Sequence, residues 1–236
     1  MISINQPYFL PNLGFFGLLQ QCDYHVLLNC VAMRKKSWVT RNYFGSDNQL
    51  ISVRVKDISQ NRTIQKHYLY EAKTEIKSLK NKLLKVYKNS LFIEEIEQIL
   101  SHFDFDFDEE ITICKLNYKL YSAICEILKF KVNLKFSNGL GIDNDLLQHH
   151  RLAYICLRLG DRCYLNLEDG RKLYTQSLFD EYNIKLYFNK TTKLKAQVGD
   201  RYFYRSILDL IADYGVAYVE SLLREKSMNN QELPFN

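Results

Sequence analysis

Three short stretches carry side chains in combinations that core building alone does not require. KKSWVTRN, residues 35–42, sets the chain's single tryptophan, Trp38, among Lys36, Arg41 and Asn42. An indole stacks on a planar ring or covers a sugar face while a cation meets phosphate, so the set suits a nucleotide-linked sugar. INQPYFLPNLGFF, residues 4–16, ends a strand-like run at Pro7, which lacks an amide donor and fixes φ. Loops leaving strand ends are common ligand positions in α/β folds, and Gln6 and Tyr8 supply directed hydrogen bonds there. YLNLEDGRKLY, residues 164–174, brings Asn166, Arg171 and Tyr174 to one loop. Each stretch has a plainer alternative: Trp38 packed under a helix with its cations solvated, a rigid turn of core aromatics, and a hairpin turn at Asp169-Gly170.

The titratable residues specify less. His25 and His67 could each act as a general base, yet neither has a nucleophile or carboxylate pattern beside it. His149 and His150 are neighbours on an expected helix, where successive side chains point about 100° apart, so they are expected to diverge rather than to hold a metal. Asp104, Asp106 and Asp108 alternate with Phe but lack the glycine and terminal glutamate of a calcium loop, and acidity ahead of a helix explains them. No metal site is expected. SNGLGI at 137–142 is neither a dinucleotide fingerprint nor a phosphate-binding P-loop.

The elements that position these residues read as an α/β protein with a mixed sheet and flanking helices, in a single elaborated domain over 1–236. Residues 1–70 are rich in short strands: 2–5, 24–29, 37–44 and 50–55, with a short helix over 13–21 started by Pro11-Asn12. If 37–44 is a strand, Trp38, Thr40 and Asn42 share one face and Val39 and Arg41 the other. The middle, 73–130, is mostly helical. Ile76, Leu79, Leu83 and Tyr87 make one stripe, and Ile111, Cys114, Tyr118, Tyr121 and Cys125 another. Residues 131–226 return to α/β, with strands at 132–137, 162–167 and 184–188. Helices fall at 146–160, stopped by Gly160, near 176–182, and from about 204 to 224. A tail spans 227–236.

Composition sets limits. The 236 residues are 47% hydrophobic and carry 9 Gly and 3 Pro against 17 Tyr and 14 Phe, which is a folded chain with ample core. Lys plus Arg number 32 against 27 Asp plus Glu, and this net +5 permits a phosphorylated partner without demanding one. The six cysteines form no C-x-x-C pair, no secretory signal precedes them, and no apolar run reaches membrane-spanning length. A cytoplasmic protein with reduced thiols and no transmembrane segment is the expectation.

Taken in order, INQPYFLPNLGFF, DYHVLLN, KKSWVTRN, YICLRLGDRCYLNLEDGRKLY, FDEYNIKLYF and FYRSILDLI resemble the WbqC-like family of bacteria, over most of the chain and least between about 60 and 145. The resemblance implies a role in surface-polysaccharide (O-antigen, lipopolysaccharide) biosynthesis. It implies attachment of glycine or another aminoacyl or acyl group to the amine of a nucleotide-linked amino sugar. Motif positions carried over are Gln6, Pro7, Tyr8, Lys36, Trp38, Arg41, Asn42, Tyr164, Asn166, Gly170, Tyr174, Gln197, Ser206 and Asp209. One departure stands out: the aspartate pair common after the family's second strand is replaced by Asn29 and Cys30. If those carboxylates act as a base or metal site, this chain uses another residue or lacks that activity. On this reading Trp38 and Tyr8 line a pocket and Lys36 and Arg41 contact phosphate, with Gln6, Asn42, Tyr174 and Gln197 as further substrate contacts. His25 or Asp209 takes the amine proton, and Asn166 donates to the oxyanion. The activated acyl or aminoacyl donor is not visible in the sequence. An aminoacyl-tRNA donor would need a basic stripe that net +5 does not suggest. The alternative is a noncatalytic binder of a nucleotide-sugar or glycan intermediate.

Overall fold

Ile2 and Ile4 alternate with Ser3 along the first strand, β1 (Ile2–Asn5), so the isoleucines enter one layer and Ser3 the other. The computed structural model from which this is read describes residues 1–103, 110–143, 145–146, 148–189 and 192–229. Helix α1 (Leu13–Gln20) follows, its start capped by Asn12, whose Oδ1 accepts the Phe15 N–H at 3.1 Å. Then come β2 (Tyr24–Leu27), the hairpin β3 (Arg41–Phe44) and β4 (Gln49–Ser52), and helices α2 (Ala72–Tyr87), α3 (Ile93–Ser101) and α4 (Ile113–Ile127). The second half runs β5 (Asn133–Phe136), α5 (Gln148–Arg158), β6 (Cys163–Leu167), β7 (Lys185–Asn189), α6 (Thr192–Phe203) and α7 (Ile207–Asn229). Gly199 and Gly215, both at positive φ, kink α6 and α7.

The main sheet has the order β5-β2-β1-β6-β7, and every pairing in it is parallel. The antiparallel pairing expected of a mixed sheet occurs outside it, in the separate hairpin β3-β4 and in isolated bridges such as Val55 with Leu69. From β1 the chain builds outward through β2 to β5, then returns to lay β6 and β7 on the other side of β1. That reversal makes the carboxyl ends of β1 and β6 the switch point, where neighbouring loops diverge and leave a crevice. Both faces are covered, as a parallel sheet requires. Ile2, Ile4, Val26 and Tyr164 pack with Leu152 and Ile155 of α5, whereas Leu27 joins a larger core with α1, α2, α3, α4 and α7.

The two expected stripes are buried, apart from half-buried Tyr118. Gly160 ends α5 at φ 74°, with Asp161 N–H reaching back to Cys156 O at 3.2 Å. Three expectations are corrected. Residues 37–40 form a turn rather than a strand, because the Ser37 carbonyl accepts Thr40 N–H and its Oγ accepts Val39 N–H, both at 3.2 Å. The helix near 176–182 is two 3-10 turns, Gln176–Leu178 and Asp180–Tyr182. Helix α6 precedes the expected closing helices. Asp104, Asp106 and Asp108, and tail residues 230–236, lie outside the described residues. Among the described residues no helix is long and apolar enough to cross a membrane.

Candidate functional site

The loop after β1 is held by its backbone. Asn117 of α4, fully buried, donates from Nδ2 to Pro7 O at 2.6 Å and to Val39 O at 2.9 Å, joining the two motif loops. Tyr121 Oη donates to Tyr8 O, Phe9 N–H to Trp38 O at 2.7 Å, and Asn42 Nδ2 to Phe9 O and Leu10 O at 3.1 and 2.7 Å. These bonds hold Leu10 in a left-handed conformation, φ 42°, that a non-glycine residue adopts only when its surroundings enforce it. Asn42 therefore braces the loop.

The loop so fixed forms one wall of a cleft of about 610 Å³ at the carboxyl ends of β1 and β2. Gln6 comes from this loop, Arg34 and Lys35 from the segment after β2, Gln148 and Arg151 from α5, and Tyr174 from the connection after β6. Arg151 is 8% exposed, so its charge sits at the protein side of the cleft, whereas Arg34 and Lys35 are open to solvent. Tyr8 lies close by. Burial raises its phenol above the ordinary value, with the Arg34 charge opposing and Tyr174 reinforcing. Burial likewise raises Tyr174, which packs edge-on against Phe179 at 6.2 Å. Among the described lining residues there is neither a carboxylate nor an imidazole. Three cations, three glutamines and Tyr174 make up the polar part of the lining, a set whose chemistry suits an anion.

The other expected site residues stand elsewhere. Lys36 is exposed at φ 57°, and this left-handed step leaves Lys35 as the cleft-lining member of the pair. Trp38 is 46% exposed, with the Arg41 guanidinium 5.4 Å from its ring centroid and Tyr43 at 5.8 Å, outside the cleft lining. Gln197 is exposed on α6, also outside it. Asn166, on β6, accepts Leu167 N–H at 2.8 Å and packs so tightly on Gly170 that a Cβ there would sit 2.5 Å from its Nδ2. Glycine at 170 is a packing requirement.

His25 as a general base is corrected. It is fully buried, with Nδ1 2.8 Å from Ser3 Oγ and its ring edge-on to Phe15 at 5.2 Å, and burial lowers its pKa to about 3. A proton acceptor needs a path to its substrate, and this ring is a neutral core residue. Asp209 opens α7 beside a second cleft of about 410 Å³, away from Gln6 and Tyr174. Its Oδ1 accepts Gly45 N–H at 2.7 Å and Tyr87 Oη at 2.5 Å, and burial raises its carboxyl above the usual range. Neither His25 nor Asn166 lines this cleft or the one at the switch point.

Asn29, where the resemblance leads one to expect an aspartate, is 3% exposed and fully engaged with the segment after β5. Its Oδ1 accepts Ser137 Oγ–H at 2.9 Å and Asn138 N–H at 3.2 Å, and its Nδ2 donates to Asn138 Oδ1 at 2.8 Å. An ionised aspartate could accept the first two bonds but could not donate the third. The expectation that His149 and His150 diverge is also corrected: at the first turn of α5 their rings lie 4.0 Å apart.

Sequence reasoning missed Arg34, Lys35, Gln60, Gln148 and Arg151. The available signal was Arg151, a charge beside Leu152, Ile155 and Cys156 on a helix whose apolar stripe has no structural need of one. Comparison with curated proteins and with solved structures returns no match to either. Residues 6–221 match the model of the WbqC-like protein family, and the chain belongs to that family.

Proposed function

We propose that this protein binds a phosphorylated amino-sugar intermediate, of the nucleotide-linked kind, in the cleft at the sheet's switch point. Membership of the WbqC-like family suggests involvement in polysaccharide biosynthesis. The observation that supports the reading is the convergence of Arg34, Lys35 and Arg151 from two separate elements on a cleft whose other polar lining is Gln6, Gln60, Gln148 and Tyr174, with apolar residues such as Met33 and Leu152 between them. Guanidinium and ammonium groups answer a diphosphate with charge-assisted hydrogen bonds of roughly 1.5–3 kcal/mol each. The amides and phenol then read the hydroxyl and amine pattern of the sugar. A volume of about 610 Å³ falls within the range of small-molecule sites.

Acyl or aminoacyl transfer to the sugar amine is the second reading, supported by the family resemblance alone. The amine must lose a proton during acylation, and the described cleft lining offers no carboxylate or imidazole to accept it.

The test is calorimetric titration with UDP- and dTDP-linked amino sugars, alongside the same sugars without phosphate. Phosphorylated ligands should bind, and Arg34→Gln or Arg151→Gln should each weaken binding about tenfold, equivalent to ~1.4 kcal/mol, with the thermal transition retained. Equal affinity for the unphosphorylated sugars, or no binding across the panel, would refute it. Adding candidate acyl and aminoacyl donors and weighing the sugar by mass spectrometry separates the two readings: an adduct establishes transfer.

A further inference from the structure

We propose that His149, His150 and Glu181 bind one divalent transition-metal ion of the zinc class on the outer side of the cleft wall. This stands independently of the sugar-binding reading.

Helix α5 begins at Gln148, which is held at φ 50°, and the two histidines occupy its first turn. Their rings are 4.0 Å apart and tilted by 37°, and the Asp180–Tyr182 turn brings Glu181 Oε1 to 3.6 Å from His150 Nδ1. One ligand atom from each of the three residues lies within 4.8 Å of the others. Bonds of about 2.1 Å to one tetrahedral ion set ligand atoms ~3.4 Å apart, so closure requires only rotation about side-chain bonds that solvent leaves free. The His150 and Glu181 side chains are 45% and 60% exposed.

The surroundings orient the donors. Tyr182 Oη and Glu181 Oε1 both approach His150 Nδ1, at 2.5 and 3.6 Å, so an ion held by that nitrogen and the carboxylate takes the place of the phenol contact. Phe179 meets the His149 ring edge-on at 6.2 Å, and Tyr182 is itself braced by Tyr154 at 5.8 Å. Two imidazoles and one carboxylate, with the remaining positions open to water, match a three-ligand zinc site. Magnesium and calcium prefer all-oxygen sets. The bound ion would tie α5, which supplies Gln148 and Arg151 to the cleft, to the connection between β6 and β7, which supplies Tyr174.

The test uses chelator-treated full-length protein with no polyhistidine tag and reduced thiols, titrated with Co²⁺ and then Zn²⁺. One Co²⁺ per chain should give visible d–d bands without the near-ultraviolet thiolate charge transfer that cysteine ligands produce. His149→Ala, His150→Ala and Glu181→Gln should each lower affinity by at least about tenfold. Zn²⁺ should raise the melting temperature of the parent but not of the double histidine variant, whose metal-free melting temperature should equal the parent's. Absence of stoichiometric binding overturns the proposal. So does binding that persists in the double variant or carries thiolate bands, which would put the ion on cysteines.

Discussion

A histidine enclosed by Ser3, Phe15 and Tyr121 should make this protein acid-sensitive well above the carboxylate range. Burial lowers the His25 pKa from 6.5 to about 3, so between those values the unfolded chain binds a proton that the folded chain refuses. Stability associated with His25 is therefore fully present above pH 6.5 and is lost progressively as pH falls toward about 3. At pH 5 the loss is on the order of 2 kcal/mol, since each pH unit within the window counts ~1.4 kcal/mol. Urea midpoints at pH 7.5 and pH 5 should show this decline in the parent, and His25→Gln should flatten it. An unchanged slope in the variant would place the acid sensitivity elsewhere. At this scale the sequence was legible where a residue's type restricts its company. Gln6 and Tyr174 do line the cleft, and Trp38 is exposed. It was illegible where neighbours decide: nothing local distinguishes a sealed His25 from a reactive one, or Lys35 from Lys36 before the left-handed backbone at 36 is known.

Between elements, the decisive contact is α4's clamp on the loops after β1 and after β2. Asn117 supplies the donors for Pro7 O and Val39 O from within a helix that is otherwise apolar on that face. Replacing it with alanine strands two buried carbonyls, each worth roughly 1–3 kcal/mol when unsatisfied. Asn117→Ala should therefore destabilise the fold by about 2–4 kcal/mol in denaturant melts and also weaken sugar-phosphate binding, although it lies outside the cleft lining. Loss of stability with unchanged affinity would show that the clamp does not position the loop for binding. Helical stripes disclosed α2 and α4 because their period is local. The clamp was not disclosed, because its partners lie 110 and 78 residues away in sequence. The strand expected over 37–44 forms only over its second half, β3, for a related reason: alternation describes a ribbon, and Ser37, whose Oγ accepts Val39 N–H, turns the chain before the ribbon begins.

For the whole molecule, the sheet order brings loops after β1, β2 and β6 to one edge, and a ligand there contacts segments that are apart in the unfolded chain. Such a ligand binds the folded state alone and stabilises it by mass action, about 2.7 kcal/mol at a hundredfold excess over its Kd. For a chain of this size each kcal/mol moves the melting temperature by roughly 2–4 °C, so an upward shift of about 5–10 °C is expected with a nucleotide-linked amino sugar. Part of the expected attraction is between the ligand's phosphates and the exposed cations Arg34 and Lys35, so the shift should shrink as salt rises and the screening length falls below about 8 Å. The second cleft provides the control. Asp209→Asn keeps an acceptor for Gly45 N–H and Tyr87 Oη while removing the buried charge beside Arg205, and it should leave the ligand-induced shift intact. Arg34→Gln combined with Arg151→Gln should abolish it. The reverse pattern would move the ligand to the cleft at α7 and detach the sheet's switch point from function, leaving a crevice at the carboxyl ends of β1 and β6 that the ligand does not use.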